Sequence, residues 1–248
     1  MTWDLHRLRP AAAKALRYCD AVDAWYAWSA GRWTRDETQR RYRVVKAMIQ
    51  SLKDVIDELD DDDQRKAAAK AWHARRSHAK LTALLQTLAS EPGISTRVSD
   101  WDADPYVLQT PAGIVDLRTR ELREATPDDM LHRCTAAAPD WNMEPTRWLA
   151  FLSEISCGRR DLVQYLRAAI GMTLIGVQRD QVILLCSGIG SNGKSKLIET
   201  LVEMLGDYAG VSMPNLLSAR SQEAHPTELM QLEGKRLVYC DEVKDNRL

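Results

Sequence analysis

The stretch QVILLCSGIGSNGKSKLIETLVEMLG, residues 181–206, constrains the fold more tightly than any other part of the chain. It opens with a continuous apolar run, QVILLC (181–186), whose branched residues suit a strand buried on both faces of a sheet. It closes with KLIETLVEMLG (196–206), an amphipathic helix that Gly206 is placed to end. Between them Gly188, Gly193, Lys194 and Ser195 satisfy the spacing G-x-x-x-x-G-K-[ST] in the order strand, loop, helix, the context of a phosphate-binding loop. Glycines are needed where the backbone wraps a phosphate and aims N–H groups at it, because side chains would obstruct the approach. The helix start adds the positive end of its dipole. The backbone amides between Ser187 and Lys194 are expected to form the cradle, with Lys194 reaching the β- and γ-phosphates and Ser195 supplying an oxygen to Mg²⁺.

A phosphate cradle hydrolyses nothing by itself. The partner it needs is a second buried strand that ends in acids, and GKRLVYCDEV (234–243) supplies one: Leu237, Val238, Tyr239 and Cys240 run apolar before Asp241 and Glu242. Parallel strands present their carboxyl ends to the ligand crevice, which predicts both carboxylates beside the loop. Asp241 is expected to hold the Mg²⁺ shell through water, and Glu242 to orient and deprotonate the attacking water. A further strand is expected near YAGVSM (208–213). Adjacent acids favour an ATP-hydrolysing motor over a small-molecule kinase.

Upstream, the pattern changes. DAWYAWSAGRWTRDET (23–38) predicts two aromatic strands turning at Ser29 to Gly31, with the tryptophans packing a small core. Thr34 and Glu37 have the spacing of a capping box, and Val45, Met48, Ile49, Leu52, Val55, Ile56 and Leu59 then recur at helical spacing. The acidic run DELDDDD (57–63) is expected as an exposed connection, followed by one alanine-rich helix from about Gln64 to Ala89 that carries both His73 and His78. SEPG (90–93) ends it. Residues 106–129 alternate apolar segments with turns, as small β-hairpins do, and helices return at 146–156 and 161–175.

The expected fold class is therefore α/β: a mainly helical N-terminal accessory domain with small β-hairpins, then an incomplete P-loop ATPase with a parallel sheet. The accessory domain is assigned to 1–145, with basic helices over 34–90 and the hairpin region over 94–145. Residues 146–248 are assigned to a helical lead-in and the partial ATPase core.

Charge is unevenly spread. The chain carries a net −1, yet residues 1–90 sum to +5 and residues 91–248 to −6. RRYRVVK (40–46) and RKAAAKAWHARRSHAK (65–80) fit either a solvated helix face or contacts to a phosphate backbone. Five cysteines without a CxxC pair disfavour a disulfide framework or a zinc cage. No run approaches the roughly 20 apolar residues of a membrane span, so no membrane association is expected.

With those residues in view, the chain resembles the phage and plasmid primase-helicases, whose motor belongs to helicase superfamily 3. The resemblance rests on GIGSNGKS (188–195), LEGKRLVYCDEVKDNRL (232–248), TPAGIVDLRTRELREATPDD (110–129) and, more loosely, WYAWSAGRW (25–33). It implies an ATP-dependent DNA helicase motor of AAA+-like type behind an accessory domain, acting on single-stranded or forked DNA as a homo-oligomeric, hexameric ring in the bacterial host cytoplasm. It also implies that Gly188, Gly190, Ser191, Asn192, Gly193, Lys194 and Ser195 bind ATP, that Ser195 and Asp241 serve Mg²⁺, and that Lys194 and Glu242 are catalytic. Members of that family continue into a polar sensor strand and an arginine that completes a neighbour's site, whereas this sequence ends at Leu248. Weak or absent ATPase activity and no primer synthesis are the corresponding expectations. Two other readings stay open on the residues: a non-catalytic fragment that binds DNA or a partner through the basic half, and a P-loop phosphotransferase acting on a small molecule.

Overall fold

The computed structural model of the chain describes residues 3–177, 182–188, 190–212 and 232–240. The described residues are mixed α/β, with seven α-helices, a four-stranded sheet, a three-stranded sheet and one parallel strand pair. The chain divides into two units, one drawn from Met1–Ala103 and Thr126–His132, the other from Asp104–Ala125 and Arg133–Leu248. Among the described residues no helix is long and apolar enough to cross a membrane.

In the first unit, α1 (Trp3–Ala15) leads into β1 (Leu16–Cys19), and the aromatic stretch forms the expected hairpin of β2 (Ala24–Ser29) and β3 (Arg32–Arg35). The turn consists of Ala30 and Gly31 at φ of 49° and 75°. Two positive φ values in a two-residue loop give the twist that keeps flanking strands paired. The short β4 (Ser95–Thr96) adds to β1 in parallel, completing the order β3-β2-β1-β4. Trp33 is wholly buried, the Trp28 ring meets it edge-on at 5.4 Å, and Trp25 packs against the core. The tryptophans serve packing.

The long helix α2 (Arg40–Asp57) buries Val45, Met48, Ile49, Leu52 and Ile56 as its periodicity requires, while Val55 stays exposed. Its start differs from the sequence expectation. Thr34 lies inside β3 and donates its hydroxyl to the Ala27 carbonyl at 3.3 Å, so it cannot cap the helix. Asp36 does so instead, accepting from the backbone N–H of Arg40 at 2.6 Å and of Arg41 at 2.9 Å, with the Arg41 guanidinium at 3.0 Å. Burial alone would raise the Asp36 pKa; the Arg41 and Arg40 amides and the Arg41 side chain overcome that and hold it below the usual carboxylate range. Because the folded value is the lower one, this stabilisation is fully present above the unfolded pKa, about 3.9, and is lost as pH falls through the folded value. Asp36→Asn is expected to destabilise the first unit by about 1 kcal/mol at neutral pH. It should also flatten the acid limb of stability below about pH 4, read by urea denaturation across pH.

The alanine-rich segment is two helices rather than one: α3 (Asp62–Arg75) and α4 (His78–Ala89). Ser77 is extended between them, which ends one hydrogen-bond ladder and starts another and puts His73 and His78 on different helices. The acidic run is partly capping: the Asp61 carboxylate accepts from the N–H groups of Asp63 and Gln64, and Asp62 and Asp63 sit in the first turn, where negative charge suits the dipole. Trp72 of α3 is buried with Leu81, Leu85 and Leu88 of α4, Val45 and Ile49 of α2, and Leu16 of β1, forming the core of this unit. Residues 126–132 close onto it. The Trp33 indole donates to the Pro127 carbonyl at 2.9 Å, the Trp33 N–H meets Leu131 O at 3.4 Å, and His132 Nδ1 lies 2.6 Å from Asp102 Oδ2.

In the second unit, β5 (Val107–Thr110), β6 (Gly113–Asp116) and β7 (Leu122–Arg123) form the expected antiparallel hairpins. Helices α5 (Thr146–Ile155), α6 (Arg160–Met172) and α7 (Lys194–Leu205) follow, and β8 (Ala209–Val211) pairs in parallel with β9 (Leu237–Tyr239), Ala209 opposite Leu237. Among its described residues two hydrophobic clusters form. Leu152, Leu197 and Leu201 gather Phe151 and Ile155, while Leu108, Val115, Leu205 and Tyr208 gather Leu174; Leu237 packs against both. Arg236 ties the parts together. Its side chain donates to Leu174 O and, at 2.7 Å, to Val107 O, its backbone N–H donates to Tyr208 O at 2.7 Å, and its guanidinium lies 4.4 Å from the Tyr208 ring centre.

One expectation fails here. Residues 182–186 form no strand, and Ile183 and Leu185 are 68% and 72% exposed. A strand is held by ladder bonds to its neighbours. Among the described residues, β8 and β9 pair with each other and neither pairs with 182–186.

Candidate phosphate-binding loop

Helix α7 can start no earlier than Lys194 because Gly193, at φ 84°, is left-handed and serves as its N-cap without a side-chain cap. The Leu197 N–H makes the helix's first bond, to Gly193 O at 2.9 Å. The N–H groups of the opening turn therefore have no intrahelical acceptor and face the loop. Ser191 at φ 61° and Gly188 at φ 152° bend the loop back on itself.

Both glycines of the motif sit at positive φ, and Gly193 is also confined by its neighbours. A Cβ on Gly188 would run into the Asn192 amide nitrogen, and one on Gly193 would come within 2.6 Å of Ile155 Cγ2 and 3.2 Å of Phe151 Cε2. Gly190 has nothing within 4 Å of the position of a Cβ, so its place in the loop rests on no such constraint. Gly193→Ala is expected to cost about 1–3 kcal/mol through left-handed strain and the collision with α5. Gly190→Ala should stay within about 0.5 kcal/mol of the parent; paired urea titrations check both.

Lys194 folds across the loop. Its Nζ donates to Gly188 O at 3.0 Å and to Asn192 Oδ1 at 2.8 Å. An ammonium has three donors, and two of them are used to span the loop. Ser195 follows in the first helical turn, exposed. Glycines 188, 190 and 193, Ser191, Asn192, Lys194 and Ser195 thus share one loop and helix start. Asp241 and Glu242 lie outside the described residues, as does Ile189. The strand leading to the two acids, β9, packs Leu237 against Leu197 and Leu201 of α7.

The support from α5 is absent from the sequence motif. Phe151 and Ile155 close against Gly193, and Trp148, Phe151, Leu152 and Ile155 recur at the spacing of one helix face, the signal that marks this helix as the loop's floor. A left-handed glycine pressed on a hydrophobic floor, a helix dipole and a cation held over the loop together suit a polyanion. Residues 187–195 themselves include no carboxylate.

Comparison with known proteins then places the chain. Residues 3–157 match the family described as D5 N terminal like, and the chain belongs to that family. The matched residues end before the glycine loop. A protein of Acanthamoeba polyphaga mimivirus, provisionally named a helicase, is 29% identical over 149 residues, which cover 58% of this chain and 15% of that protein. The chain thus spans a small part of its relative's length.

Proposed function

We propose that the chain is the N-terminal and partial motor region of an ATP-dependent DNA helicase of the primase-helicase kind. Residues 1–145 are the accessory part and 146–248 the lead-in and the start of a P-loop ATPase. The observation that carries this is the loop itself: two glycines at positive φ, Gly193 pressed against α5, and Lys194 held across the loop at the start of a helix. Membership of the D5 N terminal like family and the helicase name of the mimivirus relative support the same reading.

In this proposal Gly188, Gly190, Ser191, Asn192, Gly193, Lys194 and Ser195 hold the triphosphate of ATP. Bound ATP and Mg²⁺ supply the phosphoanhydride whose cleavage powers strand separation, and the charge neutralisation that cleavage needs. Lys194 exchanges its two loop partners for phosphate oxygens, keeping its hydrogen bonds while gaining charge complementarity. Ser195 and Asp241 would hold Mg²⁺, which would neutralise phosphate charge, and Glu242 would accept a proton from the attacking water. In the intact protein the partners are single-stranded or forked DNA and further copies of the chain in a hexameric ring.

Calorimetric titration with ATP and Mg²⁺ tests the reading. Saturable binding is expected, competed by ADP and not by AMP, because the loop holds the β-phosphate. Folded protein that gives no heat, or that binds AMP as well as ATP, would overturn it.

A further inference from the structure

The two basic clusters of the first unit, separate in sequence, meet in space. A groove of about 490 Å³ is lined by Lys46, Ala47, Ile49 and Gln50 of α2, by Arg76 at the break after α3, and by Leu81 of α4. Arg43, Lys46, Gln50 and Lys53 recur at i, i+3, i+7 and i+10, so they form a single stripe along α2. Lys46 and Lys53 are about 10 Å apart along its axis.

Trp72 connects two of the residues that line the groove, Ile49 and Arg76. Its indole donates to Ile49 O at 2.7 Å, and both the Arg76 guanidinium, at 4.8 Å, and the Lys53 ammonium, at 6.0 Å, lie over its ring. Two cations on one ring repel each other, and among the described residues no carboxylate pairs with Lys46, Lys53 or Arg76. Tyr42 stands one helical turn before Lys46 on α2; the exposed His78 ring stacks on it at 5.3 Å and 16°, and the Tyr42 hydroxyl is held by Thr82 at 3.0 Å. The interruption at Ser77 leaves Arg76 at the groove and starts the helix that brings Leu81 to it.

We propose that this groove and the surface flanking it hold the backbone of single-stranded DNA, with Lys46, Lys53 and Arg76 on phosphates, Gln50 hydrogen-bonding between them, and a base resting on the outer face of His78. A regular stripe of cations matches the regular charge of a polyanion. An exposed flat ring favours a strand whose bases are open over a duplex. The site contacts phosphate and a π-face, so it carries no base-sequence preference. It stands independently of the motor reading, since no residue of the glycine loop takes part.

The test uses the full chain and fluorescence anisotropy with a labelled oligo(dT). Three phosphate contacts give a slope of log K against log salt of about −2. Lys46→Ala with Lys53→Ala is expected to weaken binding at about 50 mM salt by at least tenfold and to reduce the slope by one or more. Arg76→Ala should act in the same direction, and Arg147→Ala, in the other unit, should change nothing. The lysine pair leaves the Arg76–Trp72 contact in place, so its circular dichroism should match the parent even if Arg76→Ala loosens α3. Lys194→Ala should keep oligo(dT) affinity while losing ATP, which separates failure of this site from failure of the motor reading. The proposal is overturned if the lysine pair binds oligo(dT) like the parent, if duplex DNA binds as tightly as single strand, or if polyglutamate competes equally at matched charge.

Discussion

Lys194→Ala is expected to reduce affinity for ATP with Mg²⁺ by about two orders of magnitude while leaving the fold intact. Hydrogen bonds to ionised groups contribute roughly 1.5–3 kcal/mol each, so losing the phosphate contacts proposed for the ammonium would amount to about 3 kcal/mol, or a factor of roughly 150. The residue is half-buried at a helix start and contributes no core surface, so its removal should change stability by less than about 1 kcal/mol. Lys194→Arg is not expected to rescue binding. A planar fork cannot occupy the compact point between Gly188 O and Asn192 Oδ1 that an ammonium spans at 3.0 and 2.8 Å. Equal ATP affinity in parent and alanine variant, by calorimetry on samples with matching circular dichroism, would remove the assignment of Lys194.

Trp33→Ala is the substitution expected to damage the first unit most, by about 3–5 kcal/mol. The side chain is wholly buried, its indole holds Pro127, and the Arg17 guanidinium lies 4.6 Å from its ring centre. Burial pulls the Arg17 pKa below its ordinary value, with Asp128 opposing that shift, so losing the ring would leave a poorly solvated cation beside a cavity. Stabilities of whole domains are about 5–15 kcal/mol, so the variant is expected to be marginal. Trp33→Phe keeps much of the volume and loses the indole bond, which predicts a smaller cost of about 1–2 kcal/mol. Urea denaturation orders the two, and limited proteolysis should cut near residues 126–132 in the alanine variant first.

Local signals carried some of this architecture and not the rest. The α2 helix was legible because a buried face repeats every 3.6 residues whatever it packs against. The turn at Ala30 and Gly31 and the glycines at 188 and 193 were legible because backbone geometry restricts what can stand there. Thr34 misled because its hydroxyl has two possible customers, a helix end and a strand carbonyl, and the pairing of β3 with β2 decided between them. Residues 182–186 misled for a related reason: an apolar run states a preference for burial, while neighbouring strands decide whether burial is met. The four residues of β1, LRYC, show no alternation at all and were invisible without their partners. The return of residues 126–132 to Trp33 depends on hydrogen bonds across more than 90 positions, which no window along the chain contains.

The guanidinium of Arg236 joins Leu174, Val107 and Tyr208 immediately before β9 begins. A register slip of that strand would break all of these attachments together. The strand that leads to Asp241 is therefore geared to the 107–116 hairpin: whatever displaces one must carry the other with it, and a rigid label on the hairpin would register movement at the strand.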